Sequence, residues 1–166
     1  DGDCSLREAV LAANAAVGAD AITAPAGTYV LTSGALAIFD GVAITGAGSG
    51  TTIIDGNAQD RVIDLAGVTI ITVDITGVTI RNGRAQGFGC GAGIHVNSSH
   101  TLNLMDVVVT ENHSTGCAGG IFGNLGPVTL TNSTVSGNSV ATNGGGIALM
   151  LVLFAASTWR RRRSQS

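Results

Sequence analysis

Lysine is absent from this 166-residue chain, proline occurs twice, and aromatic side chains make up only 4% of it. Each shortage excludes something. All 8 basic residues are Arg and four of them form the run Arg160 to Arg163, so residues 1–159 hold 4 Arg against 11 acids, a balance of −7 that the run brings to −3. An acidic body offers nothing to a phosphate backbone, so no nucleic acid is expected as a partner. Two prolines beside 25 glycines argue for tight corners rather than a disordered Pro/Gly-rich chain. The scarcity of rings suits a core made of stacked aliphatic rows. With 45% apolar and 11% charged residues, the chain can form one domain with a substantial core. It opens Asp1-Gly2-Asp3, without Met or an apolar signal segment, and is expected to be a mature form or a fragment.

What the chain does contain is one pattern written twice. Leu102-Asn103-Leu104 returns as Val128-Thr129-Leu130, Val107 and Val109 as Ser133 and Val135, Asn112 as Asn138, and Gly119 as Gly145, each 26 residues later. A fixed period of this length indicates repeats that bury their apolar faces only by stacking. Within each copy the apolar residues alternate with period two and are Val, Ile, Leu and Thr, which points to strands rather than helices. Corners rich in Asn and Gly, such as Glu111-Asn112, Gly137-Asn138 and Gly144-Gly145-Gly146, supply residues that tolerate left-handed backbone angles. The unit is too short for a propeller blade and has no helical half, as a leucine-rich repeat would. It suits one coil of a parallel β-helix, with about three short strands per turn and coils about 4.8 Å apart. The run Ile71, Val73, Ile75, Val78 and Ile80 is an earlier copy at an offset of 29. The excess lies in the loop from Arg84 to Ala92 and the corner near Ser98-Ser99, and longer loops on a regular stack are where function is expected. Gly46, Gly48 and Gly50 form a corner, since no helix follows to make them a dinucleotide motif.

The pattern before the first coil is different. Ser5 and Glu8 have the spacing of a capping box, and Leu6, Val10, Ala13 and Val17 fall on one helical face before Gly18, which predicts a helix over about Leu6 to Val17. Such a helix would cover the open end of the stack. Residues 1–20 are therefore expected to be an N-terminal capping helix, 21–147 a parallel β-helix, and 148–166 an apolar segment with an Arg-rich tail.

Cys4-Ser5-Leu6-Arg7-Glu8-Ala9-Val10, with Ala12-Ala13-Asn14, Asp20-Ala21-Ile22 and Pro25-Ala26-Gly27-Thr28-Tyr29-Val30-Leu31 after it, resembles the "CSLREA" opening of bacterial right-handed β-helix surface proteins of the pectin-lyase-like fold. Ile53-Ile54-Asp55-Gly56-Asn57, Val78-Thr79-Ile80-Arg81-Asn82-Gly83 and the segment Val128 to Asn138 are similar too, so the resemblance covers about residues 3–147. It implies an all-β fold, a right-handed parallel β-helix with an N-terminal capping helix, and a secreted or surface-attached chain.

Candidate chemistry is sparse. Cys90 and Cys117 each lie four residues before an Ile that marks the coil, Ile94 and Ile121, so they are expected one above the other. Their Cα atoms would then be about 5 Å apart, which admits a disulfide and equally two reduced, half-buried thiols in a ladder. Cys4 has no visible partner, and no Cys/His cluster has metal-ligand spacing, so neither metal nor cofactor is expected. His95, His100 and His113 share no coil position, His113 aligning with Arg84 and Ser139, and all three are expected to be exposed polar residues. Asp55, Asp60, Asp64 and Asp74 lie within one coil's length and form a candidate acidic groove, as a glycosidase carboxylate pair or a lyase Ca²⁺ cluster requires. Solvated or turn-bonding Asp is the simpler account, because without Lys only Arg61, Arg81 and Arg84 remain as the base of a lyase, and polygalacturonase motifs are absent. The Thr and Ser residues at 129, 131, 134 and 136 do not extend into an ice-binding array, since 103 is Asn and 108 is Val. Asn97-Ser98-Ser99, Asn112-His113-Ser114 and Asn132-Ser133-Thr134 match glycosylation acceptors, but Asn-Ser corners belong to any β-helix.

After Ile147 the alternation is lost in Ala148-Leu149-Met150-Leu151-Val152-Leu153-Phe154-Ala155-Ala156, then Trp159 and four Arg follow. The order suits an outside-to-inside membrane anchor, giving possible membrane contact through 148–163. As a helix, Ile147 to Trp159 reaches only about 20 Å against a hydrocarbon core of about 30 Å. A sorting remnant or a plug lying across the last coil are the alternatives.

The leading expectation is a non-enzymatic, exported cell-surface module acting by display or adhesion, with a polysaccharide or a host or cell-surface ligand as partner. Its rival is a carbohydrate-active or carbohydrate-binding protein using Asp55, Asp60, Asp64 and Asp74.

Overall fold

The computed structural model describes residues 5–87, 89–141 and 145–150. Among them are one helix, α1 (Leu6–Ala15), and short strands: β1 (Asp20–Ala24), β2 (Gly27–Val30), β3 (Leu36–Ile38), β4 (Val42–Gly46), β5 (Thr52–Asp55), β6 (Ile63–Leu65), β7 (Thr72–Thr76), β8 (Thr79–Arg81) and β9 (Arg84–Ala85). β10 (Ile94–Val96), β11 (Thr101–Met105), β12 (Val108–Thr110), β13 (His113–Ser114), β14 (Ile121–Asn124), β15 (Val128–Thr131), β16 (Thr134–Val135), β17 (Ser139–Val140) and β18 (Ile147–Met150) complete the set.

Strands that come round at each turn pair in parallel. Three sheets have five strands each, in the orders β1-β4-β7-β11-β15, β2-β5-β8-β12-β16 and β3-β6-β10-β14-β18, and a short fourth sheet runs β9-β13-β17. The described residues thus form a parallel β-solenoid of about five turns with one helix, α1, at its start. The register is the one that the repeat predicts: Leu102 and Leu104 pair with Val128 and Leu130, and Val73 and Ile75 pair with Leu102 and Leu104. The fourth sheet, a strand more per turn than expected, comes from the stretch after each Asn corner, where His113 pairs with Arg84 and with Ser139. Two residues per rung are too few to leave a periodic signal in the sequence.

Side chains that point inward form continuous rows. Leu36, Ile63, Ile94 and Ile121 stack in one sheet, Ile44, Ile75 and Leu104 in another, and Ile54, Ile80 and Val109 in the third, each buried to 1% exposure or less. Burying one such Ile or Leu stabilises by about 1.5–3 kcal/mol.

Corners between strands are left-handed and also stack. Gly77, Asp106 and Asn132 form one row of positive φ, Asn82, Glu111 and Gly137 a second, and Ser98 and Leu125 a third. Leucine is poorly suited to φ of 68° because its Cβ crowds the following carbonyl, and Leu125 is 48% exposed, so its side chain gains little by packing. Leu125→Asn is therefore expected to raise stability by about 0.5–1 kcal/mol, read as a higher denaturant midpoint with an unchanged slope.

The capping helix ends earlier than Val17. Ser5 accepts a hydrogen bond from the Glu8 N–H (3.2 Å) and its own N–H donates to the Glu8 carboxylate (2.7 Å), which closes the capping box. The Ser5 N–H first, and the Ser5 side chain after it, hold the Glu8 carboxyl below its ordinary range, with burial opposing them weakly. Leu6, Val10 and Ala13 are buried on the first coil, but the chain turns extended at Ala16 and leaves Val17 fully exposed. One residue of α1 replaces a missing rung. The Asn14 side chain donates to the Ala37 carbonyl (2.8 Å) and accepts from the Phe39 N–H (2.8 Å), satisfying the outer edge of β3 as a neighbouring strand would.

Candidate functional site

The four aspartates of the candidate acidic groove do not share a face. Asp55 ends β5, Asp64 is the middle of β6, Asp74 is the middle of β7, and these strands belong to three different sheets. Asp60 lies in the corner between β5 and β6, exposed, its side chain accepting from the Arg61 N–H (2.7 Å). A groove gathering all four carboxylates is therefore not present: the coil is wrapped around a core, so residues one strand apart in sequence face different directions.

The carboxylates of Asp55, Asp64 and Asp74 instead bond to the next rung, as that of Asp60 does not. Asp55, 9% exposed, accepts from Arg81 Nε (2.9 Å), Asn82 Nδ2 (2.9 Å) and the Asn57 N–H (2.9 Å). Asp74 accepts from Asn103 Nδ2 (2.8 Å), and Asp106 from Asn132 Nδ2. Asp64 sits 2.7 Å from His95 Nδ1 on one side and 3.5 Å from the Arg61 guanidinium on the other. Burial is the largest single influence on Asp55 and on Asp64 and pushes both carboxyls up. At Asp55 the hydrogen bonds from Asn57, Asn82 and Arg81 outweigh it, and at Asp64 those of His95 and Arg61 do, so both groups lie below the ordinary aspartate value of 3.8.

A group held below its unfolded pKa contributes stability that is complete above the unfolded value and is lost as pH falls through the folded one. The denaturant midpoint is accordingly expected to be flat from about pH 7 to pH 5 as far as these two groups are concerned and to fall below about pH 4. The double variant Asp55→Asn, Asp64→Asn should be less stable near neutrality and show a smaller acid-induced loss. An acid limb as steep as that of the parent protein would contradict this assignment.

The histidines differ among themselves. His100 is 1% exposed and its Nδ1 accepts from the Ile71 N–H (3.3 Å), which corrects the expectation of an exposed side chain. The cause is the corner before β11, which turns inward to receive the backbone of the preceding rung. His113 is half-buried and bonded to the Ser139 hydroxyl (2.9 Å). His95 pairs in register with Asp64 below and Phe122 above, and its ring lies 5.6 Å from that of Phe122 at 10° between planes. This column of Arg61, Asp64, His95 and Phe122 is the most chemically varied part of the described surface. Sequence reasoning missed it because its members are about 30 residues apart, although the coil offset alone would have aligned His95 with Phe122, 27 residues on.

Cys90 and Cys117 are joined by a disulfide with Cα atoms 4.5 Å apart, between equivalent positions of adjacent rungs. Ser114, just before the second cysteine, donates to the Gly89 carbonyl (2.6 Å) across the same two rungs. The glycosylation match at Asn112 has no accessible acceptor, since that side chain is fully buried, whereas Asn97 and Asn132 are exposed.

Asp20, Asp40 and Asp74 border a shallow depression beside Gly41 and Ile71. Among the described residues no group of three His, Cys, Asp or Glu is arranged to hold a metal ion. No described helix is long and apolar enough to cross a membrane, and the tail expected to touch one lies, from Leu151 on, outside the described residues, as does Cys4.

These features define a class, a disulfide-stapled parallel β-solenoid whose surface polar groups bond from rung to rung. No family model matches the chain, and no curated protein or solved structure matches it either.

Proposed function

We propose that the chain is an exported module of a bacterial envelope or its surroundings, a non-enzymatic surface element that acts by displaying side chains at rung spacing. The observation that carries this reading is the Cys90–Cys117 disulfide, because such bonds form and persist in oxidising compartments and are rare in the cytosol. The resemblance of Cys4 to Val10 and the following segments to the opening of surface β-helix proteins points the same way. Display also suits the architecture: five-stranded sheets present outward residues in columns, successive members about 4.8 Å apart, an extended and regular surface of the kind solenoids use for binding.

The Arg61, Asp64, His95 and Phe122 column supports a second reading, carbohydrate binding or a carbohydrate-directed activity. An aromatic face beside a carboxylate and a guanidinium suits a sugar ring and its hydroxyls.

Two measurements test the pair. Fractionation of the native host with thiol alkylation should find the protein in the envelope or medium with Cys90 and Cys117 unmodified, and a cytosolic protein with both thiols alkylated would overturn export. Incubation with pectic and other acidic glycans, with and without Ca²⁺, should give neither unsaturated products nor new reducing ends. Turnover that Asp64→Asn abolishes would replace the display reading by an enzymatic one.

A further inference from the structure

The helix covers the first coil unevenly. In the sheet that begins with β1, outward residues bond back to the preceding rung: the Thr101 N–H donates to the Ile71 carbonyl (2.9 Å), and the Met105 and Thr131 carbonyls accept from the N–H groups of Gly77 (3.0 Å) and Asp106 (3.1 Å). β1 is the outermost strand of that sheet and pairs with β4, through groups such as the Asp20 N–H, which donates to the Gly41 carbonyl (3.1 Å). By alternation the N–H and C=O of Ala21 and Thr23 point away from β4, and among the described residues no strand receives them. Asn14 supplies the missing partner at β3, but beside β1 the helix presents Ala9, Ala12, Ala13 and Ala16, a face with no polar side chain. A groove of about 510 Å³ runs between that face and β1, with Ala21 and Thr23 exposed in it.

We propose that β1 is a docking edge for an extended segment of a partner protein, which lies in this groove as one more parallel strand. The backbone sets the shape of the occupant, because free N–H and C=O groups at every second residue are answered in full by another strand. Asp20 sets its charge. It stands at an inward position, in a row that continues as Val42, Val73, Leu102 and Val128, and its Oδ2 is shut from solvent without a hydrogen-bond partner. With Asp40 and Asp74 it also borders the depression beside Gly41, so the end of the groove at Asp20 is acidic. A carboxylate oxygen left unanswered at an inward position calls for a donor, and a cationic one gains most from it. The segment therefore carries Arg or Lys beside Asp20 and a small apolar residue beside Ile22, against the alanine face of α1.

The experiment uses the full chain and an end-blocked, fluorescein-labelled peptide, Ser-Arg-Thr-Ala-Thr-Ala-Ser, whose Arg falls beside Asp20 and whose first Ala falls beside Ile22. It should bind saturably at about 1 mM or below by fluorescence polarisation. Amide hydrogens of Ala21 and Thr23, fast to exchange in the free chain, should be slowed in the complex. Asp20→Asn, or Glu in place of the peptide's Arg, should weaken binding about tenfold. Thr23→Pro removes an N–H that faces away from β4, so it should leave the thermal midpoint unchanged and abolish binding. No binding at about 1 mM, or binding indifferent to both Asp20→Asn and Thr23→Pro, would overturn the proposal. Slow exchange of Ala21 and Thr23 in the free monomer, with a lowered midpoint for Thr23→Pro, would give the edge to another part of the same chain. Protection that rises with protein concentration alongside a dimer in sedimentation would give it to a second copy, and either result overturns the partner reading.

Discussion

Asn112→Ala is expected to destabilise the protein by about 3–5 kcal/mol, because it removes three side-chain hydrogen bonds from a fully buried corner. Asn112 Oδ1 accepts from the Gly83 N–H (2.7 Å), and its Nδ2 donates to the Ile80 carbonyl (3.2 Å) and to Asn138 Oδ1 (2.9 Å). The residue has 0% exposure, so water does not replace these partners. Gly83, buried as well, is left with an unanswered N–H. The ladder gives an internal comparison. Asn138, half-buried in the next rung, donates to the Val109 carbonyl (2.8 Å), and Asn138→Ala should cost less because solvent reaches it. Denaturant midpoints of both variants check this ordering, and an Asn112→Ala loss under about 1 kcal/mol would show that the ladder is not a principal support.

Gly83→Ala is expected to be of similar severity for a steric reason. A Cβ at position 83 would run into the Ala92 carbonyl oxygen and come within 2.8 Å of the Ala92 carbonyl carbon and 2.9 Å of Asn112 Oδ1. The carbonyl oxygen is not free to retreat, since it accepts from the Val62 N–H (2.9 Å) of the rung below. One methyl group therefore pushes the Ala92 carbonyl off its bond to the rung below, at a cost of about 3 kcal/mol or more. Gly50→Ala serves as the control: a Cβ there meets nothing within 4 Å, and the change should stay within about 0.5 kcal/mol. Thermal unfolding of the two variants separates them.

Both effects converge on the corner after β8 and β12, and that corner was legible in part. The recurrence of Asn112 as Asn138 marks a position where a side chain must satisfy backbone groups at a turn, yet nothing in the spacing tells that the side chain points inward. A buried Asn breaks the alternation of apolar residues and reads as a surface turn until the backbone path is known. The same limit applies to Asp55, whose Asp-Gly context suggests a turn and which the fold places at 9% exposure against Arg81.

The residues alone were enough for the solenoid, the register of its later rungs, the helix that begins at Leu6, and the stacking of Cys90 on Cys117. These follow from alternation of period two and from the 26- and 29-residue offsets of the later coils, which are local or nearest-neighbour properties, whereas the offsets of 22 and 31 residues in the sheet of the first coils left no such repeat. Which outward residues meet became visible in the folded chain. Asp55, Asp64 and Asp74 are near in sequence but turn to three sheets, while Asp64, His95 and Phe122 are distant in sequence and form one column. The reason is geometric: the direction a side chain faces depends on how many residues each corner consumes, and the corners from β6 to β7, β10 to β11 and β14 to β15 all differ in length.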